Sequence, residues 1–110
     1  MRRFGQVIGL DPDRLDEYRS YHAEIWPEIA QALRDAGIRN YTIYYRDGQL
    51  FGTFEYHGPD EEWDARQRTL AEAPRMKEWW EIMGSMQRPD PDRPPGAWWS
   101  DLEEVFHFSE

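Results

Sequence analysis

The chain has 110 residues, room for one domain built around one hydrophobic core, and residues 1–110 are read as a single domain. It contains no cysteine, which excludes disulfide frameworks, thiolate metal sites and cysteine nucleophiles. Thirteen Lys and Arg against twenty-two Asp and Glu leave a net charge of −9, a balance that repels nucleic acid and anionic membrane and favours a neutral or cationic small molecule. No apolar run near the N-terminus reaches the length of a signal peptide or membrane span, so a cytoplasmic location is expected.

From Phe4 to Leu10 the alternation of Phe4, Gln6, Ile8 and Leu10 on one face predicts a first strand. Asp11-Pro12 then supplies a helix N-cap with proline at the first helical position. Leu15, Tyr18, His22, Ile25, Ile29, Leu33 and Ala36 recur at steps of three and four, which predicts one inward face and places Tyr18 and His22 side by side on it. Pro27 removes a backbone donor and clashes with the preceding turn, so a kink or break is expected near Trp26, and Gly37 is suited to end the second half.

Ile38–Arg46 and Gln49–Tyr56 are rich in β-forming residues and flank Asp47-Gly48, a strong hairpin signal. Strict alternation would put Tyr41, Ile43 and Tyr45 on one face and Ile38, Asn40, Thr42 and Tyr44 on the other. Aromatics on both faces predict helices over one side and a ligand or partner subunit over the other. Asp60-Glu61-Glu62 reads as the first turn of a helix running on to Leu70, and Pro74 as the start of another carrying Met76, Trp79, Trp80 and Met83. Gln87 to Gly96 holds four of the eight prolines and reads as an extended loop, followed by a last strand over Leu102–Phe108. This order predicts a ferredoxin-like α+β sandwich with an antiparallel four-stranded sheet whose exposed face favours a dimer.

Among candidate functional residues, His22 leads because an imidazole near neutrality can both give and take a proton. A lone histidine is more often structural; its neighbour Tyr18 on the same face is what raises it above that level. Aromatics make up 15% of the chain, with six Trp and six Tyr, a composition that serves cores, interfaces and sugar stacking alike. Trp79-Trp80 can line one pocket only if it wraps around the helix edge, since adjacent helical side chains diverge by about a hundred degrees. Tyr41 offers a further hydroxyl on an aromatic body. His22-Ala23-Glu24 has metal-ligand residue types without metal-ligand spacing, so no metal is expected. His57 and His107 read as solvated or structural, and the carboxylates Asp60, Glu61, Glu62, Glu103 and Glu104 as charged surface. Trp98-Trp99 fits either a pocket cover or a dimer seam.

Taken together, Tyr18, His22, Trp26-Pro27-Glu28, the strand Asn40-Tyr41-Thr42-Ile43-Tyr44, Trp79-Trp80 and the ending Leu102-Glu103-Glu104-Val105-Phe106-His107 closely resemble the L-rhamnose mutarotase family over nearly the whole chain. The stretch from Gln87 to Trp99 departs most from that pattern. The resemblance implies a dimeric α+β barrel, His22 as proton donor, Tyr18, Tyr41, Trp79 and Trp80 as sugar-binding residues, a neutral monosaccharide such as L-rhamnose as substrate, and no cofactor. Other chemistries on such a barrel are a cofactor-free monooxygenase or a haem-handling protein, and a non-enzymatic sugar-binding subunit is a further alternative.

Overall fold

The computed structural model describes residues 1–109, in the order β1 (Arg2–Leu10), α1 (Leu15–Ala23), α2 (Pro27–Asp35), β2 (Ile38–Arg46), β3 (Gln49–Tyr56), α3 (Trp63–Ala71), α4 (Met76–Met86), β4 (Gln87–Arg88) and β5 (Ser100–Asp101). The strands form one antiparallel sheet in the order β2-β3-β1-β4, with β5 also paired to β1. The ferredoxin-like order expected from the sequence is present. Its fourth position is shared: β4 pairs Gly9 and Leu10, and β5 pairs Gln6 and Val7.

Local chemistry explains the element ends. Asp11 accepts from the Asp13 amide at 3.0 Å, capping the 3-10 turn Pro12–Arg14 that leads into α1. Pro27 does more than kink the next segment: α1 stops at Ala23 and a new helix starts at Pro27, with Trp26 extended as its N-cap. The inward stripe therefore fails at Ile25, which sits in the connection and is 37% exposed. Gly37 takes φ +81° just past α2. Asp47 and Gly48 both have positive φ, as a two-residue hairpin turn of the I′ kind requires. Pro74 lies in the turn before α4 instead of starting it, and Arg75 enters that helix from a left-handed conformation at φ 65°.

One packed face of the sheet carries Ile8 and Leu10 from β1 and Leu50 from β3, and α2 and α4 cover it with Ile29, Ala32, Met76, Met83 and Met86. Ile38 joins this face although strict alternation put it opposite Tyr41, Ile43 and Tyr45. The register slips between Arg39↔Glu55 and Thr42↔Thr53, so Asn40 and Tyr41 together oppose one residue of β3. Asn40 adopts φ 53° at this bulge, which shifts the parity of the strand. The outer face bears a row of Tyr44, Phe51 and Val7 across three paired strands.

The expected strand over Leu102–Phe108 is absent. The Leu102 amide still donates to Gly5 O at 2.8 Å and Arg3 pairs with Glu104 at 3.3 Å, yet the ladder ends at Asp101. Val105, Phe106 and Phe108 are all exposed, Val105 by 91%, since a single chain offers their apolar side chains nothing to cover. The predicted loop from Gln87 to Gly96 likewise begins with two residues of strand.

Candidate functional site

Between the helices and the concave face of the sheet lies a trough of about 1580 Å³, open along one side. Its walls come from all four helices, β1–β3 and the segment joining β4 to β5. The ligand space is therefore on the helix-covered side of the sheet, not on the outer face that the sequence reading reserved for ligand or partner.

The helical spacing of Tyr18 and His22 brings their rings to 4.5 Å, edge to face, on the wall of this trough. His22 Nδ1 stands 2.8 Å from the carbonyl oxygen of Tyr18. A carbonyl only accepts, so Nδ1 carries the proton of the neutral ring and Nε2 keeps its lone pair. Burial lowers the His22 pKa from its ordinary 6.5, partly offset by that same carbonyl contact. The neutral imidazole is thus the resting form at neutral pH.

Tyr18 is 4% exposed, and burial raises its pKa, opposed by a hydrogen bond from Gln87. Tyr41 reaches the trough from β2 on the face it shares with Ile43 and Tyr45. Its ring packs on Phe54 at 5.2 Å, and desolvation of the phenol, with a smaller contribution from the charge of Tyr18, pushes its pKa up to about 12 although the residue as a whole is 40% exposed. Both phenols are protonated, neutral hydrogen-bonding groups at any physiological pH.

Trp79 and Trp80 divide as their helical divergence demands. Trp79 is 6% exposed and wedged edge-on among Tyr21, His22 and Trp26, at 6.1, 5.4 and 5.1 Å. Trp80 is half exposed and contributes to the trough from the neighbouring side of α4. The five residues singled out from the sequence, Tyr18, His22, Tyr41, Trp79 and Trp80, therefore all line one trough. His57 sits outside it, 2.7 Å from Glu55 on the surface, and the exposed His107 lies beyond the last strand.

Trp98 and Trp99, which the sequence left between a pocket cover and a dimer seam, both turn into the trough: Trp98 lies over Gly84 of α4, and Trp99 over Gly52, where an added Cβ would meet it at 3.4 Å. Three glutamines of the site were not singled out from the sequence. Gln87 links Trp98 to Tyr18, accepting from the indole N–H at 2.8 Å and donating to the phenol oxygen at 3.1 Å. Gln6 was visible as a polar residue within an inward-facing apolar stripe; it donates to Asp101 at 3.2 Å and lines the trough. Gln67, also in the lining, has a buried side-chain nitrogen with no partner among the described residues, a donor left for a ligand oxygen. Behind Trp79, the Arg75 guanidinium stacks on Trp26 at 3.7 Å from the ring centre.

Comparison with known proteins places the chain as a whole. The family model for L-rhamnose mutarotase matches residues 3–108. An L-rhamnose mutarotase of Acidiphilium cryptum is 42% identical over 98% of this chain and 99% of its own length, and one of Lactiplantibacillus plantarum is 39% identical with the same coverage. The crystal structure of L-rhamnose mutarotase from Formosa agariphila superimposes with a TM-score of 0.75 at 27% identity, covering 99% of this chain and all of that one. Tetracenomycin F2 cyclase from Streptomyces glaucescens shares the fold alone, with a TM-score of 0.73 at 15% identity. A family match over nearly the whole length, with close relatives that this chain spans end to end, leads to one conclusion: the chain belongs to the L-rhamnose mutarotase family, whose reaction class is isomerisation.

Proposed function

We propose that this chain interconverts the α and β anomers of L-rhamnose, with His22 moving the proton and Tyr18, Tyr41, Trp79 and Trp80 holding the sugar. The observation that carries this reading is the imidazole of His22: half-buried, resting neutral, and held at Nδ1 so that Nε2 is the nitrogen left to react beside a phenol in an aromatic trough. Opening the pyranose requires the anomeric hydroxyl to lose a proton and the ring oxygen to gain one. Nε2 takes the proton from the hydroxyl and donates it to the ring oxygen as the bond between C1 and that oxygen breaks, leaving an aldehyde and a neutral imidazole. Rotation about the C1–C2 bond and the reverse steps close the ring on the other face. No electron is transferred, so the cycle calls for no cofactor. Tyr18 and Tyr41 donate to oxygens that gain charge on the way, and indole faces cover the C–H face of the ring.

Residues 1–110 work in this reading as one domain, and two copies associate through the outer sheet face. The row of Tyr44, Phe51 and Val7 and the uncovered Leu102, Val105, Phe106 and Phe108 support that association. Sedimentation should report twice the 13.3 kDa of one chain. A cytoplasmic location accords with the absence of cysteine. No helix among the described residues is long and apolar enough to cross a membrane.

The deciding experiment is saturation-transfer NMR on α- and β-L-rhamnose. The wild-type chain should accelerate exchange between the anomers and His22→Ala should not, while circular dichroism shows both folded. Exchange unchanged by that substitution removes His22 from the mechanism.

A further inference from the structure

The two hydrogen bonds of Gln87 have a fixed direction. The indole N–H of Trp98 can only donate, so the oxygen of the Gln87 amide must face it at 2.8 Å and the amide NH2 must face the oxygen of Tyr18 at 3.1 Å. A Tyr18 oxygen that already accepts from Gln87 has its own proton free for another acceptor, and the trough where His22 stands is the open direction. Backbone pairing of Gln87 with Leu10 at the sheet edge anchors this amide, and the Arg93 guanidinium, 5.2 Å from the Trp98 ring, steadies the indole.

On the basis of the reaction proposed above, we propose that Gln87, oriented by Trp98, is a positioning residue that commits the Tyr18 hydroxyl to donate into the trough, toward a sugar oxygen. Donation from Gln87 also polarises the phenol, making it a better donor to an oxygen that gains negative charge as the ring opens. Through these two bonds the segment between β4 and β5 bears on the Tyr18 hydroxyl.

The test compares wild type with Gln87→Met, Gln87→Glu and Trp98→Phe, each also in the Tyr18→Phe background, by anomer exchange at several L-rhamnose concentrations. Gln87→Met should lower kcat about tenfold, the scale of one lost hydrogen bond, with KM nearly unchanged. Gln87→Glu, whose ionised carboxylate can only accept, should turn the Tyr18 proton away from the trough and cost more than Gln87→Met. Trp98→Phe should cost less than either. None should matter further in the Tyr18→Phe background. In protein carrying tyrosine labelled with carbon-13 at Cζ, Tyr18 should titrate at higher pH in Gln87→Met than in wild type. An unchanged kcat in Gln87→Met, a loss of equal size in the Tyr18→Phe background, or an unmoved Tyr18 titration overturns the proposal. Failure of the underlying reading is visible separately, as exchange that wild type does not accelerate or that His22→Ala does not alter, and the tyrosine titration then still tests the link from Gln87 to Tyr18.

Discussion

The ring nitrogen Nδ1 of His22 and the carbonyl oxygen of Tyr18, one helical turn earlier, lie 2.8 Å apart. This contact leaves Nε2 as the nitrogen without the proton, and burial holds the ring's pKa below 6.5. In the proposed mechanism the neutral ring is the active form. Exchange should therefore hold level through neutral pH and fall in acid, with the midpoint of the fall under 6.5 when kcat/KM is followed by NMR. Stability follows the same sign. The unfolded chain takes up the His22 proton first as pH drops, so the contribution of this group is intact above 6.5 and is lost progressively down to the folded-state pKa. His22→Gln should remove that part of the pH dependence from urea unfolding curves.

Tyr41 makes a prediction at the other end of the scale. With its pKa pushed up to about 12 and that of Tyr18 also raised above 10, both phenols stay mainly protonated from neutrality up to pH 10. The activity profile should show no alkaline limb from either group in that interval. Tyr41→Phe should slow exchange by about tenfold through the loss of one donor and leave the shape of the profile intact. An alkaline limb that disappears in Tyr41→Phe would contradict the neutral role given to this residue.

Arg75 tests the support behind Trp79. Its guanidinium stacks on Trp26 and pairs with Glu28 and Glu78 at 3.4 and 3.3 Å, while its backbone sits at φ 65°. Asparagine tolerates that backbone geometry, so Arg75→Asn isolates the side-chain contribution. Thermal or urea unfolding should register a small loss of stability, mainly from the stacking, because the ion pairs are solvent-exposed.

Gly58 is set by a neighbour that cannot give way. A Cβ there would come within 2.6 Å of the hydroxyl of Tyr56, which is fully buried and donates to Pro59 O at 2.7 Å. Gly58→Ala should destabilise the fold by about 1–3 kcal/mol through overpacking. The combination with Tyr56→Phe should cost less than the two losses added together, since removing the hydroxyl relieves the closest contact.

Much of this was legible in the sequence because it rests on local rules. Asp47-Gly48 marks the hairpin, Pro27 divides the helices, and the four-residue spacing of Tyr18 and His22 joins their rings. The rest depends on information that hydropathy does not carry. The bulge at Asn40 is a backbone choice, and it alone decides that Ile38 and Tyr41 share a face. Gln87 reaches Tyr18 across 69 positions of sequence and looks like any other polar residue at a loop edge. The segment after Asp101 alternates like a strand, yet alternation describes which side chains want cover and says nothing of where the cover comes from.

The shared edge of β1 has a consequence for how this architecture can change. The chain leaves the sheet after Arg88, makes a proline-rich detour and rejoins the same strand at Ser100, a few residues from where it left. A detour that begins and ends on one strand can lengthen, shorten or exchange its aromatics without altering the pairing of β1 with β3 or the packing of α2 beneath them. Trp98 and Trp99 ride on that detour, whereas His22 is built on a helix. The aromatics that this detour adds to the trough can therefore change without moving the helix on which His22 is built.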